Sequence, residues 1–242
     1  MRTIGVIGGM GPAAAADFCA RVVTTHGALC DQDHPPCIMY SATQVPDRTA
    51  FLLGNGGADP TPELVASVNL VEAAGADFIA IPCNSAHAFL SAMRAAVSIP
   101  ILDMIALVSA EVVRVVPQAR RVGVLAASGS VKIGLYDKPL KTHGLVPLYP
   151  DSEVQDEVMA AIKDVKMGGA SEISDPRLIV AVKHLCDKGA DSLIMGCTEV
   201  PLALAAKDSP VVAIDGNQTL VDMTLRLSLR QFDFEEILYA IR

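Results

Sequence analysis

Two segments of this chain repeat each other, and the repeat restricts the architecture more than any other feature. Gly75-Ala76-Asp77 leads into an apolar run at 78–81 and then into Pro82-Cys83-Asn84-Ser85. Gly189-Ala190-Asp191 leads into Ser192-Leu193-Ile194-Met195 and then into Gly196-Cys197-Thr198-Glu199, so Cys197 repeats Cys83 114 residues later. The correspondence extends in both directions. Ile4-Gly5-Val6-Ile7-Gly8 matches Val122-Gly123-Val124-Leu125-Ala126, and Ile99-Pro100-Ile101-Leu102-Asp103 matches the segment at 209–215. A period this long is a duplicated α/β half rather than a solenoid repeat.

Each half alternates short β-branched runs with longer amphipathic ones, a pattern that gives parallel sheets with right-handed crossovers. Strands are expected near 3–7, 37–41, 78–82, 100–102, 121–125, 145–148, 192–196 and 211–214. Helices are expected near 12–26, 61–74, 85–96, 104–116, 130–143, 152–167, 175–188, 199–207 and 217–230. Hydrophobic residues make up 51% of the 242 and aromatics 4%, which suits strands buried on both faces under Ala-rich helices. The fold class expected is therefore α/β, with two similar pseudo-symmetric domains, each a parallel sheet flanked by helices, and a cleft between them. The first domain is expected over 1–100 plus 210–242 and the second over 101–209. Ligands bind such sheets at the C-terminal ends of the strands.

The net charge of −8 leaves no basic surface for nucleic acid. No apolar run is long enough to cross a membrane and the N-terminus has no signal-peptide pattern, so a cytoplasmic protein is expected. The six cysteines lack zinc-type spacing, and free thiols are expected rather than a metal site or disulfides.

Cys83 and Cys197 stand apart from Cys19, Cys30, Cys37 and Cys186, which read as small buried hydrophobes. Both end an expected strand and begin an expected helix, where backbone N–H groups stabilise a thiolate. Two such thiols across a cleft suit removal of a proton from one face of a carbon and its return to the other. Asn84, Ser85 and Thr198 are expected at the helix starts, as caps, as carboxylate ligands, or as both. Arg48 reads as a loop residue and Lys166 as the end of a helix, and together they offer a fork and a point charge to an anion. Glu199 and His87 could tune the thiols or relay protons. Gly9-Met10-Gly11-Pro12-Ala13-Ala14 mimics a dinucleotide fingerprint, but the next strand ends without an acidic residue for a ribose, and the glycines read as a tight loop under the cleft.

Taken in order, Gly8-Gly9-Met10-Gly11-Pro12, Pro46-Asp47-Arg48-Thr49, Pro82-Cys83-Asn84-Ser85-Ala86-His87 and Gly196-Cys197-Thr198-Glu199 resemble the aspartate/glutamate racemase family, aspartate branch. The resemblance covers nearly the whole chain. It implies cofactor-independent racemisation with Cys83 and Cys197 as the catalytic pair and no cofactor or metal. It also implies Arg48 and Lys166 on the distal carboxylate of L- or D-aspartate, and Asn84, Ser85 and Thr198 on the α-carboxylate. Met10 and Glu199 complete the implied substrate contacts, and a homodimer is implied. Two positions depart from the family pattern: Ser85 stands where Thr is more usual, and Ala127 replaces a hydroxyl residue. Lys163, one turn from Lys166, is the competing lysine. Competing functions are a glutamate or broad-specificity amino-acid racemase, an isomerase or decarboxylase of small diacids, and a non-catalytic binding protein for acidic amino acids.

Overall fold

The computed structural model describes residues 1–168 and 173–234. The chain forms β1 (Ile4–Gly8), α1 (Pro12–His26), β2 (Cys37–Ser41), α2 (Arg48–Leu53), α3 (Thr61–Ala73), β3 (Phe78–Ala80), α4 (Leu90–Ala96) and α5 (Met104–Val115). It continues through β4 (Arg121–Ala126), α6 (Ser128–Lys132), α7 (Asp137–Thr142), β5 (Val146–Leu148), α8 (Ser152–Lys166), α9 (Pro176–Asp187), β6 (Ser192–Gly196), β7 (Val212–Asp215) and α10 (Gly216–Ser228).

Two parallel sheets result, with strand orders β2-β1-β3 and β5-β4-β6-β7. A parallel bridge from Ile79 to Ile101 extends the first sheet at the place where β7 extends the second. The two topologies therefore superimpose strand for strand, as the repeat requires. Side chains alternate across each sheet with the period of two that a strand imposes. Ile4 and Val6 of β1 and Val122 and Val124 of β4 enter one central core, shared with α1, α5 and α10. Ile7 faces outward beneath α3 and α4, and Leu125 faces outward beneath α8 and α9.

Several local expectations need correction. Residues 212–215 pair with β6 in the second sheet, so this part of the 210–242 segment does not return to the first. The helix that follows, α10, packs on both α1 and α5. Residues 235–242 lie outside the described residues. The helix expected over 130–143 breaks into α6 and α7 around Gly134, whose φ of +61° lies in the left-handed region that glycine tolerates. No regular helix starts at either cysteine. Cys83 is followed by a 3-10 turn, Ser85–Phe89, and Cys197 by another, Val200–Leu202, which contains Pro201. Conversely, the loop expected to carry Arg48 is α2, begun by Asp47, whose Oδ1 accepts from the Ala50 amide at 2.7 Å.

Candidate active site

The pocket between the sheets forms where β1, β3, β4 and β6 end. Gly9 turns the chain out of β1 with φ +86°, and a Cβ there would meet the Ala42 amide at 2.6 Å. Gly11 lets the same loop approach the second half. Its N–H donates to Glu199 Oε1 at 3.2 Å, and an added Cβ would sit 2.9 Å from that oxygen. The glycines thus serve a close backbone crossing.

Cys83 and Cys197 line one pocket, and Met10, Asn84, Ser85, Lys166, Thr198 and Glu199 line it with them. Thr49, Ala127, Ser130 and Gly196 complete the wall. Both thiols are buried, with 4% and 8% exposure. The halves are tied across the site, because the Thr198 hydroxyl donates to the Pro82 carbonyl at 3.3 Å. Both lysines are exposed residues, but Lys163 lies outside this wall, whereas Lys166, at the C-terminal end of α8, reaches it.

Arg48 is the predicted residue that the structure sets apart. It is 6% exposed and stands behind the wall. Its Nη1 donates to the carbonyls of Val45 (3.2 Å) and Pro46 (3.0 Å), and its Nη2 to that of Met10 (3.0 Å). The Nη groups of the fork expected to hold a substrate carboxylate hold backbone carbonyls, and Nε is buried with no hydrogen-bond partner. The Met10 carbonyl that it grips also accepts from Cys83 Sγ at 3.4 Å, so Arg48 acts on the site through that oxygen.

The two thiols sit in different fields. Cys197 Sγ donates to Glu199 Oε2 at 2.9 Å. Burial pushes the Cys197 thiol well above its ordinary value, and the Glu199 carboxylate pushes it further, against a smaller opposing pull from Lys166. Cys83 Sγ has the Ser85 hydroxyl at 3.5 Å and no carboxylate among its hydrogen-bond partners. Desolvation works to lower the Lys166 ammonium, but Glu199 foremost, and the two cysteines when ionised, outweigh it, so its pKa is raised and it stays charged.

Both ring nitrogens of His87 are taken by backbone groups. Its Nε2 accepts from the Met104 amide at 3.1 Å, which leaves Nδ1–H to donate to the Cys83 carbonyl at 2.9 Å. Burial lowers its pKa and keeps the ring neutral. It fastens the Cys83 backbone to the start of α5. Asn84 does not cap the turn that follows it. Its Oδ1 accepts from the Tyr136 hydroxyl at 2.5 Å, while its Nδ2 is buried with no hydrogen-bond partner, as is Ser130 Oγ. Both residues border the pocket, and buried polar atoms without partners are uncommon in folded proteins. Ser130, Thr49 and Tyr136 were not singled out by sequence. Ser130 follows β4 as Ser85 follows β3, which was a usable signal, whereas Tyr136 sits inside what reads as one helix.

The family model described as Asp/Glu/Hydantoin racemase matches residues 7–224. A broad specificity amino-acid racemase, RacX, of Bacillus subtilis (strain 168) is 26% identical over 231 residues, 92% of this chain and 96% of that one. A glutamate racemase of Levilactobacillus brevis is 27% identical over 188 residues, 73% of this chain and 65% of that one. Among solved structures, the Picrophilus torridus aspartate racemase superimposes with a TM-score of 0.78 at 26% identity, covering 99% of this chain and 100% of that one.

Proposed function

The chain belongs to the Asp/Glu/Hydantoin racemase family, and from that premise we propose that it racemises an acidic amino acid, aspartate first, by exchanging the Cα proton between Cys83 and Cys197 without a cofactor. One observation carries this reading. A thiol from each of the two equivalent sheets borders the same pocket, beside an ammonium and beside amide and hydroxyl groups that have no protein partner.

The chemistry follows from the surroundings of each group. Asn84 Nδ2, with the Ser85 hydroxyl and with the Thr198 hydroxyl once it turns from the Pro82 carbonyl, receives the α-carboxylate, and Lys166 receives the distal one. Cys83, as thiolate, takes the Cα proton; the C–H electron pair moves into the carboxylate as an enediolate. Cys197, which burial and Glu199 keep as a thiol, gives its proton to the opposite face and becomes the thiolate. The opposite enantiomer runs the same transfers in reverse. Each sulfur must come within about 3–3.5 Å of Cα. Donors fixed on the carboxylate before reaction stabilise the charge that develops there.

A wider amino-acid range is the second reading, and Arg48 favours it. The Arg48 Nη atoms are on three backbone carbonyls, and Lys166 is the cation that borders the pocket among the described residues. The α-carboxylate and amine, common to all amino acids, then carry more of the recognition.

The test is proton NMR of L- and D-aspartate, glutamate and alanine in D2O with chiral chromatography, on the wild type and on Cys83→Ser and Cys197→Ser. Loss of the Cα–H signal with appearance of the other enantiomer is expected in the wild type only. Near-wild-type turnover in either variant would remove the two-thiol mechanism. Exchange of alanine as fast as aspartate would select the wider range.

A further inference from the structure

Tyr136 belongs to the second half and reaches into the first. It lies at the start of α7, is 1% exposed, and contributes its ring to the central core. Its hydroxyl stands 2.5 Å from Asn84 Oδ1. Among the described residues that oxygen is the acceptor the structure gives the hydroxyl.

The chemistry of the two groups fixes which way the amide points. A phenol O–H buried in an apolar core must donate, because an unmade donor costs its full desolvation. Only the amide oxygen can accept, so Oδ1 turns toward Tyr136. The amide is planar, so Nδ2 then turns away from it, and this atom is buried, without a protein partner, on a residue that borders the pocket. The reverse orientation would leave the phenol proton with no acceptor. Gly196 makes room for the arrangement: a Cβ there would lie 3.1 Å from Tyr136 Cε2. The residue immediately before Cys197 is thus small because the ring that orients Asn84 passes over it.

We propose that Tyr136 is a positioning residue: its hydroxyl locks the Asn84 amide so that Nδ2 is presented to the carboxylate of a bound amino acid, and carboxylate binding thereby depends on the two halves being brought together. Burial holds the phenol well above its ordinary range, so it remains a donor through the range in which thiols titrate. The inference rests on the reading of this pocket as an amino-acid site. Because every amino acid carries the α-carboxylate, the effect of Tyr136 is common to all substrates and to both enantiomers.

The experiment is a double-mutant cycle with the full chain: wild type, Tyr136→Phe, Asn84→Ala and the double variant. Affinity for L-aspartate, L-glutamate and L-alanine is read by calorimetry, Cα–H exchange by NMR, and the unfolding midpoint alongside. Tyr136→Phe is expected to weaken binding and kcat/KM about tenfold, equally for both enantiomers, and to change either by less than twofold once Asn84 is Ala. An undiminished Tyr136→Phe protein, or an equal loss on both backgrounds, overturns the proposal. If Tyr136→Phe fails to fold, Asn84→Asp decides. That change keeps the acceptor for Tyr136 and puts an oxygen where Nδ2 stood, so affinity should fall at least a hundredfold, and retained affinity overturns the proposal. A wild type that binds amino acids with this coupling but exchanges none removes the racemase reading and keeps the Tyr136 inference. A wild type that binds none of the three removes both.

Discussion

Replacing Arg48 by Met tests whether the guanidinium serves the backbone or the substrate. Methionine keeps an apolar stem of similar length and removes the fork. Three carbonyls lose a donor, those of Met10 and Val45 in buried surroundings and that of Pro46 in a partly buried one. A hydrogen bond from a charged donor contributes about 1.5–3 kcal/mol, so losing the two buried ones should cost about 3–6 kcal/mol. For a chain of this size that is a fall of roughly 6–24 °C in melting temperature, at about 2–4 °C per kcal/mol. Because Arg48 acts on the site through the Met10 carbonyl, kcat/KM should fall by a similar factor for aspartate and alanine. The assay is calorimetric unfolding together with steady-state racemisation of both amino acids. A melting temperature within about 3 °C of wild type, with aspartate turnover lost and alanine turnover kept, would refute this reasoning and return the guanidinium to the substrate.

Three further perturbations follow from the site. Glu199→Gln removes the carboxylate that helps hold up the Cys197 thiol, so the rate for the enantiomer deprotonated by Cys197 should begin its alkaline rise at lower pH; an unmoved profile between about pH 6 and 10 counts against the pairing. His87 has a depressed pKa when folded and titrates near about 6.5 when unfolded. Its contribution to stability is therefore full above that value and is lost as pH falls through the folded value. Urea unfolding at stepped pH should show His87→Gln flattening the slope by up to about 1.4 kcal/mol per pH unit in that window, and an unchanged slope would place the acid sensitivity elsewhere. Gly129→Ala puts a Cβ 2.9 Å from Thr49 Cα and 3.1 Å from Leu52 Cβ, where α6 crosses α2 beside the pocket. Such overpacking costs about 1–3 kcal/mol; a lower melting temperature and a higher KM are expected, and no change in either would mean that the crossing yields without cost.

The strands and most long helices were legible because burial on both faces leaves β-branched runs, and amphipathic helices leave a second period, in the chain itself. The Cys83 and Cys197 pair was legible because duplication prints the same strand end twice. Lys166 was named over Lys163 by the resemblance alone, since both are polar positions near the end of one helix and the helical pattern does not separate them. The roles of Arg48 and Tyr136 were not legible for a related reason. Arg48 grips a carbonyl 38 positions away, and Tyr136 grips an amide 52 positions away. Periodicity reports which face of an element a residue occupies and says nothing about which distant atom its polar tip meets. The short turns after the cysteines were over-read as helices because Asn, Ser and Thr are also the residues that begin true helices.

Duplication by itself would give two thiols in the same environment, whereas two-base transfer needs one thiolate and one thiol at the start of each turnover. The repeat diverges at one telling place. Two residues past Cys83 stands Ser85, whose neutral hydroxyl is 3.5 Å from the sulfur. Two residues past Cys197 stands Glu199, whose carboxylate is 2.9 Å from the sulfur. Burial opposes a thiolate at Cys197, and a carboxylate that close opposes it further, so the proton stays on Cys197. The charge of Glu199 is in turn held in place by the Gly11 amide and offset by Lys166. Glu199 therefore bears on the proposed chemistry more through the proton inventory of the pair than through the substrate. The prediction that follows is strict: exchanging the two residues, as Ser85→Glu with Glu199→Ser, should reverse which enantiomer shows the alkaline limb in its pH–rate profile, and a double variant that turns over with the wild-type order would mean that the asymmetry arises elsewhere.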